Sequence, residues 1–179
     1  MLALLIGISM ALTNGSVAVQ DGQHHQDERV YRNIPQRKFQ LKDLQREDLW
    51  VGEINKETGK PQHKLKSWVM DIHDKRQEGL MFVLDGDIKE DEGMIFVFKE
   101  PEVQRFWMMN TYIHLDIAYI GADYKIVKTW TMLAHDTTTD YSSIRPAKYV
   151  LEMKQGTIKR LGMKLGQTVS IPDKVKAKE

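Results

Sequence analysis

The sequence predicts an α+β domain, mainly antiparallel β, with a small barrel-like curled sheet and two short helices. Apolar residues recur mostly with a period of two, the spacing of strands with distinct faces. Turn residues such as Gly59-Lys60-Pro61 and Gly121-Ala122-Asp123 punctuate the strands at spacings of roughly ten residues, as in domains built from many short strands. Helical character is confined to two brief segments, and curling is how short strands avoid exposed edges.

The elements follow in order. Leu2 to Leu12 is an uncharged, mostly apolar run, and Ser16-Val17-Ala18 has the small-x-small form of a signal-peptidase site. Residues 1–18 are therefore expected to be a signal peptide, with an uncleaved anchor or a core helix as alternatives. The run is short for a membrane span, which needs ~20 apolar residues, and no Lys or Arg precedes it. Residues 19–38 are polar and without period, a flexible linker. The domain is expected over 39–172 and a solvated tail over 173–179. Leu49 to Ile54 and Leu65 to Ile72 alternate as strands about the turn Asn55 to Pro61. Asp74 to Gly79 reads as a short helix, with Asp74 and Gln77 resembling a capping box. Gly93 to Phe98 is an apolar strand, broken by Pro101 and resumed from Arg105 to Thr111. Leu115 to Ile120 and Lys125 to Met132 flank a hairpin loop at Gly121 to Tyr124. Ala134 to Pro146 is a long connection without period. Ala147 to Met153 is a strand, Thr157 to Leu161 a helix stopped by Gly162, and Thr168 to Ile171 a last strand.

Composition narrows the function. The 179 residues carry 26 basic and 25 acidic side chains, net +1, against the clustered positive charge of a nucleic-acid binder. The chain has no cysteine, which removes disulfides, thiolate metal sites and cysteine catalysis. His63, His73, His114 and His135 stand singly, and His24-His25 falls in the linker. None has helical metal-ligand spacing, so neither a metal nor a cofactor is expected. His135, Asp136 and Ser142-Ser143 lack the elbow motif of a hydrolytic triad.

The candidate site lies between two strands. Asp116 alternates with Ala118 and Ile120, and Leu115 with Ile117 and Tyr119, so both faces should be buried and the carboxylate must be partnered. Trp107, Asn110, Thr111 and Asp116 could converge on a small ligand. Tyr141, Ser142 and Ser143 would form the rim and Arg145 would supply a cation, since long loops in compact domains are often functional. The alternative is that these polar groups only tie off the turn from Thr111 to His114. Glu92 is a possible acid–base partner of Asp116, or part of a solvated turn.

The blocks Glu78-Gly79-Leu80-Met81-Phe82, Asp91 to Phe98, Phe106 to Thr111 and Ile113 to Ala118, then Ala147 to Glu152, Gly156 and Leu161 to Gly166, occur in unbroken order over about residues 63–171. Together they resemble the domain of unknown function 192 family. That resemblance implies a compact β-rich domain, often behind an export signal, with no agreed activity. The chain departs from the family pattern at Met109, where Lys is usual, at His114, where Pro is usual, and at Glu78, where Arg is usual. Retained Trp107, Asn110, Thr111 and Asp116 beside a lost Lys favour binding over lysine-dependent chemistry. The expectation is an exported domain, periplasmic or extracellular, that binds a small molecule or an envelope partner as a monomer. It would bind no nucleic acid and meet the membrane only through its N-terminal signal. The alternatives are a hydrolase or lyase using Asp116 with Glu92 or His114, and a structural or assembly protein of the cell envelope.

Overall fold

Alternating apolar residues build six strands: β1 (Arg46–Ile54), β2 (Pro61–Met70), β3 (Glu92–Phe106), β4 (Leu115–Ile120), β5 (Ile126–Met132) and β6 (Tyr141–Lys154). Among the described residues, two short helices, α1 (His73–Glu78) and α2 (Thr157–Arg160), accompany the strands. The computed structural model describes residues 34–179; the expected signal peptide at 1–18 and the linker up to residue 33, with His24 and His25, lie outside the described residues.

The strands form one sheet in the order β1-β2-β3-β6-β4-β5. Only β2 and β3 run parallel, Lys66 opposite Glu92 through Met70 opposite Phe96. The crossover between them carries α1. The other pairs are antiparallel, so the α+β, mainly antiparallel expectation holds. The sheet is curled and does not close strand to strand.

Both faces are covered, which is why all six residues of β4 are buried. On one face Phe96, Ile117, Tyr119 and Val150 pack under Leu80 and Val83 of the crossover and Met108 of the β3–β4 loop. On the other, Val51, Ile95, Ala118 and Leu151 pack under Leu161, Met163, Val169 and Val175. The segment Gln167 to Ser170 reaches both edges. Trp50 and Ser170 exchange backbone hydrogen bonds of 3.1 and 2.9 Å, while Ile126 N–H donates to Gln167 and Val169 N–H to Tyr124 at 2.9 and 2.8 Å.

Four local expectations change. Pro101 does not break β3, because a bulge sets Val97 opposite Tyr149 and Glu102 opposite Ala147, leaving the proline where no ladder hydrogen bond is required. Residues 141–146 belong to β6, with Ile144 at φ 61° absorbing the second irregularity. Asp74 does not cap α1; Ile72 is the N-cap without a side-chain bond, and Asp74 pairs with Lys38 at 2.5 Å. The last strand is reduced to single bridges, Trp50 to Ser170 and Lys125 to Thr168.

The ends are more ordered than composition suggests. Arg37, placed in the linker, is half-buried and donates to the Gly79 and Phe39 carbonyls at 2.8 and 3.1 Å and to that of Met81. The tail is not simply solvated: Val175 is buried and Lys178 pairs with the buried Asp71 at 2.5 Å. Among the described residues, no helix is long and apolar enough to cross a membrane.

Candidate functional site

Asp116 is placed by β4 on the face that carries Ala118 and Ile120, and its two oxygens are both used. Thr131 Oγ1 on β5 donates to Oδ1, and the Ile158 N–H at the start of α2 donates to Oδ2, each at 2.9 Å. A carboxylate accepting a free N–H in the first turn of a helix is a fold-building contact. Asp116 therefore anchors α2 to the sheet.

The proposed rim lies on the other face. Tyr141 packs with Leu115, Ile117 and Tyr119. Its hydroxyl donates to Asp136 at 2.8 Å and accepts the Leu133 N–H at 3.2 Å. Burial, the leading cause, and the Asp136 carboxylate push its phenol up. Hydrogen bonds from Thr139, Thr138 and Tyr141 hold Asp136 far below the usual carboxylate range. Ser143 is fully buried, donating to the Arg145 carbonyl at 2.6 Å and accepting from Gln104 N–H at 2.9 Å. Ser142 Oγ accepts the Ile144 N–H at 3.1 Å. These serines hold the bulged turn of β6. Arg145 is exposed and makes no ion pair with Asp116. The shared site of Asp116 with Tyr141, Ser143 and Arg145 is thus not formed, because alternation sends Asp116 and the tyrosine to opposite faces.

Asn110 and Thr111 do not end a strand. β3 stops at Phe106, and Asn110 takes a left-handed conformation at φ 56°, which Asn tolerates. Its carbonyl accepts the Phe82 N–H at 2.9 Å, tying the β3–β4 loop to the crossover. Asn110 is exposed and Thr111 buried.

Trp107 and Thr111 do meet at a cavity. Trp107, 52% exposed, walls a groove of about 550 Å³ that also draws on Arg76, Phe98, Gln104, Arg105 and Phe106. Arg76 lies over the Phe98 ring at 5.2 Å and donates to the Val97 carbonyl. Arg76, Gln77, Phe106 and Trp107 also line an inner cavity of about 20 Å³, whose wall includes Phe96, Thr111 and Glu152. Glu152 belongs to the candidate site and carries no assignment from sequence reasoning. The available signal was a carboxylate interrupting the apolar alternation of β6, on the Val150 face. It is 4% exposed. Burial pushes its carboxyl up to about 8, with the nearby Arg37 guanidinium pulling the other way.

The acid–base alternatives are spent elsewhere. Glu92 pairs with Arg46 and accepts the Lys89 N–H at 2.9 Å. Burial would raise it, but those two contacts hold it below its ordinary value. His114 Nδ1 accepts the Ala134 N–H at 2.9 Å. Among the described residues, no group of three His, Asp or Glu side chains is placed to hold a metal ion.

Residues 53–171 match the family DUF192, described as Uncharacterized ACR. No curated protein matches the chain. Solved structures similar to the chain include the following two. One, from Sinorhizobium meliloti 1021 and described as a proposed transcription regulator, is 29% identical with a TM-score of 0.63, covering 71% of this chain and 94% of its own. The other, a protein of unknown function from Novosphingobium aromaticivorans DSM 12444, is 29% identical with a TM-score of 0.64, covering 74% of this chain and 90% of its own.

Proposed function

The chain belongs to the DUF192 family, whose description assigns no activity, and on that premise we propose that it is a small-ligand-binding domain whose ligand lies in the Trp107 groove. The observation that carries this is the indole itself, half exposed on a wall shared by the groove and the inner cavity. A groove of about 550 Å³ falls within the range of small-molecule sites, roughly 300–1,000 Å³. Aromatic walls supply apolar contact, while Arg76, Gln104 and Arg105 supply the few polar groups that orient a ligand.

Catalysis through Asp116 with Glu92 or His114 gains no support, since all three are engaged in holding backbone or an ion pair. A structural role describes Asp116, which anchors α2, and Ser142 and Ser143, which hold the β6 turn, and leaves the exposed indole unused. The regulatory description of the Sinorhizobium protein does not carry over on charge grounds, because 26 basic and 25 acidic residues give no excess for phosphate contacts. The domain is further proposed to be exported, to the periplasm or beyond, after removal of residues 1–18. Mass spectrometry of envelope fractions should find a species starting at Val19; a cytosolic species retaining Met1 would refute export.

Binding is tested by a thermal-shift screen of small molecules on the wild-type protein and on Trp107→Ala. Hits that raise Tm in the wild type should lose most of that shift in the variant. Hits unaffected by Trp107→Ala would move the site elsewhere.

A further inference from the structure

A second groove, of about 840 Å³, lies along the segment Gln167 to Ser170 and shares no lining residue with the Trp107 groove. Its size falls within the roughly 300–1,000 Å³ of small-molecule sites. Trp50 of β1 and Tyr124 of the β4–β5 hairpin line it, 43% and 36% exposed. A single exposed ring is ordinary. Two on one concave wall make a contact surface.

Both rings are fixed before any ligand arrives. Tyr124 stacks on the buried Tyr149, with ring centroids 5.6 Å apart and planes 20° from parallel. Its backbone is left-handed at φ 62°, an outlier for a bulky residue. The Gly121 carbonyl accepts its N–H at 3.0 Å and the Val169 N–H donates to its carbonyl at 2.8 Å, and these bonds hold it there. Trp50 pairs with Lys64 of β2 on one side and exchanges backbone bonds with Ser170 on the other. The indole therefore stands on a strand tied along both edges. Rings held in this way lose little freedom when something binds.

The polar walls select the class. Lys60 and Asp173 bring one positive and one negative charge, and Thr168 and Ser170 bring hydroxyls. All four residues are exposed, so their side chains are available to a ligand. With one charge of each sign, the walls favour neither an anion nor a cation. A wholly apolar ligand would leave the four polar groups unused. An extended peptide adds to an open strand edge, and Ser170 and Thr168 already occupy the edges at Trp50 and Lys125. What matches every wall is an uncharged molecule with a flat C–H face and a rim of hydroxyls. The C–H face lies on the rings, and the hydroxyls donate to Asp173 and accept from Lys60. We propose that this groove is a carbohydrate site, which seats a short neutral saccharide against Trp50 and Tyr124 with its hydroxyls on Lys60 and Asp173. The site is separate from the Trp107 groove and does not depend on it.

The test titrates the full chain with cellobiose, maltose, lactose and diacetylchitobiose. Acetate, tetramethylammonium and a proline-rich peptide serve as comparisons, and the indole NMR signals of Trp50 and Trp107 are read. At least one saccharide should move the Trp50 signal and leave that of Trp107 still. Its Kd should not change between low and high salt, because a neutral ligand gains nothing from screened charges. Trp50→Ala should weaken that binding about tenfold, the scale of one aromatic contact, and Trp50→Phe should restore most of it. Asp173→Ala, at an exposed position, should weaken it about threefold to tenfold with Tm unchanged, which separates lost binding from lost folding. The proposal is overturned if every saccharide leaves the Trp50 signal still, or if acetate, tetramethylammonium or the peptide moves it instead. It is equally overturned if Trp50→Ala and Asp173→Ala, both folded, bind the sugar as the wild type does. A saccharide that moves the Trp107 signal alone would overturn it while leaving the Trp107 groove reading in place.

Discussion

Asp116 and Glu152 are both buried carboxylates on adjacent strands, and their environments give them opposite parts. Asp116 accepts two hydrogen bonds, one from the first turn of α2. Bonds to a charged acceptor contribute about 1.5–3 kcal/mol each, so Asp116→Ala should lower unfolding free energy by about 2–4 kcal/mol in urea titrations. Asp116→Asn should cost less, because one oxygen still accepts. Neither should alter ligand affinity at the Trp107 groove. Glu152 works through pH. Its carboxyl sits near 8 in the folded chain against an ordinary 4.5. The folded state therefore binds the proton that the unfolded state has released. Its contribution to stability is complete below about 4.5 and declines as pH rises toward 8, at up to ~1.4 kcal/mol per pH unit. Asp71 and Glu92, held below their ordinary values, act with the opposite sign and only in the acid range. Wild-type stability should fall between pH 5 and 8, and Glu152→Gln should flatten that slope. Alternation in β4 showed that Asp116 is buried. Its partner, the N–H of Ile158, lies 42 residues away, a distance that no local pattern spans.

At the scale of elements, the period-two pattern placed the cores of the strands, and their irregularities escaped it. The bulges in β3 and β6 depend on which strand lies opposite, a fact of pairing rather than of the segment itself. Pro101 therefore read as a break and residues 141–146 as loop. Gly52 marks a third irregularity, between Val51 and Ile54 of β1. Its φ is +82°, and a Cβ there would lie 2.2 Å from the Leu161 carbonyl oxygen and 2.8 Å from the His63 ring. Its neighbour Glu53 donates its N–H to that same carbonyl at 3.0 Å. The close approach lets the end of α2 dock against β1. Gly52→Ala combines a left-handed strain of about 1–2 kcal/mol with an overpacking cost of about 1–3 kcal/mol. A loss of about 2–5 kcal/mol in denaturant unfolding is expected, with no comparable loss for Gly59→Ala, where the surroundings are open and only the backbone strain remains.

The whole molecule is held by a segment that belongs fully to neither edge of its sheet. Gln167 to Ser170 bonds to β1 at Trp50 and to the β4–β5 hairpin at Tyr124 and Ile126, and Val169 and Ile171 fill the core beneath it. Truncation after Gly166 should leave two unpaired edges, which are templates for association. Size exclusion should then show oligomers, and amide exchange should quicken in β1 and β5. Truncation after Pro172 keeps the clasp but loses Val175 and the Lys178–Asp71 pair, so a monomer with lowered Tm is expected. The clasp also sets an order of events in synthesis. Every strand of the sheet leaves the ribosome before residue 167 does. Until then the nascent chain carries a complete six-stranded pattern with both borders open. Chaperone demand should therefore peak as synthesis ends, and a chain released without Gln167 to Ser170 should stick to its neighbours rather than wait folded.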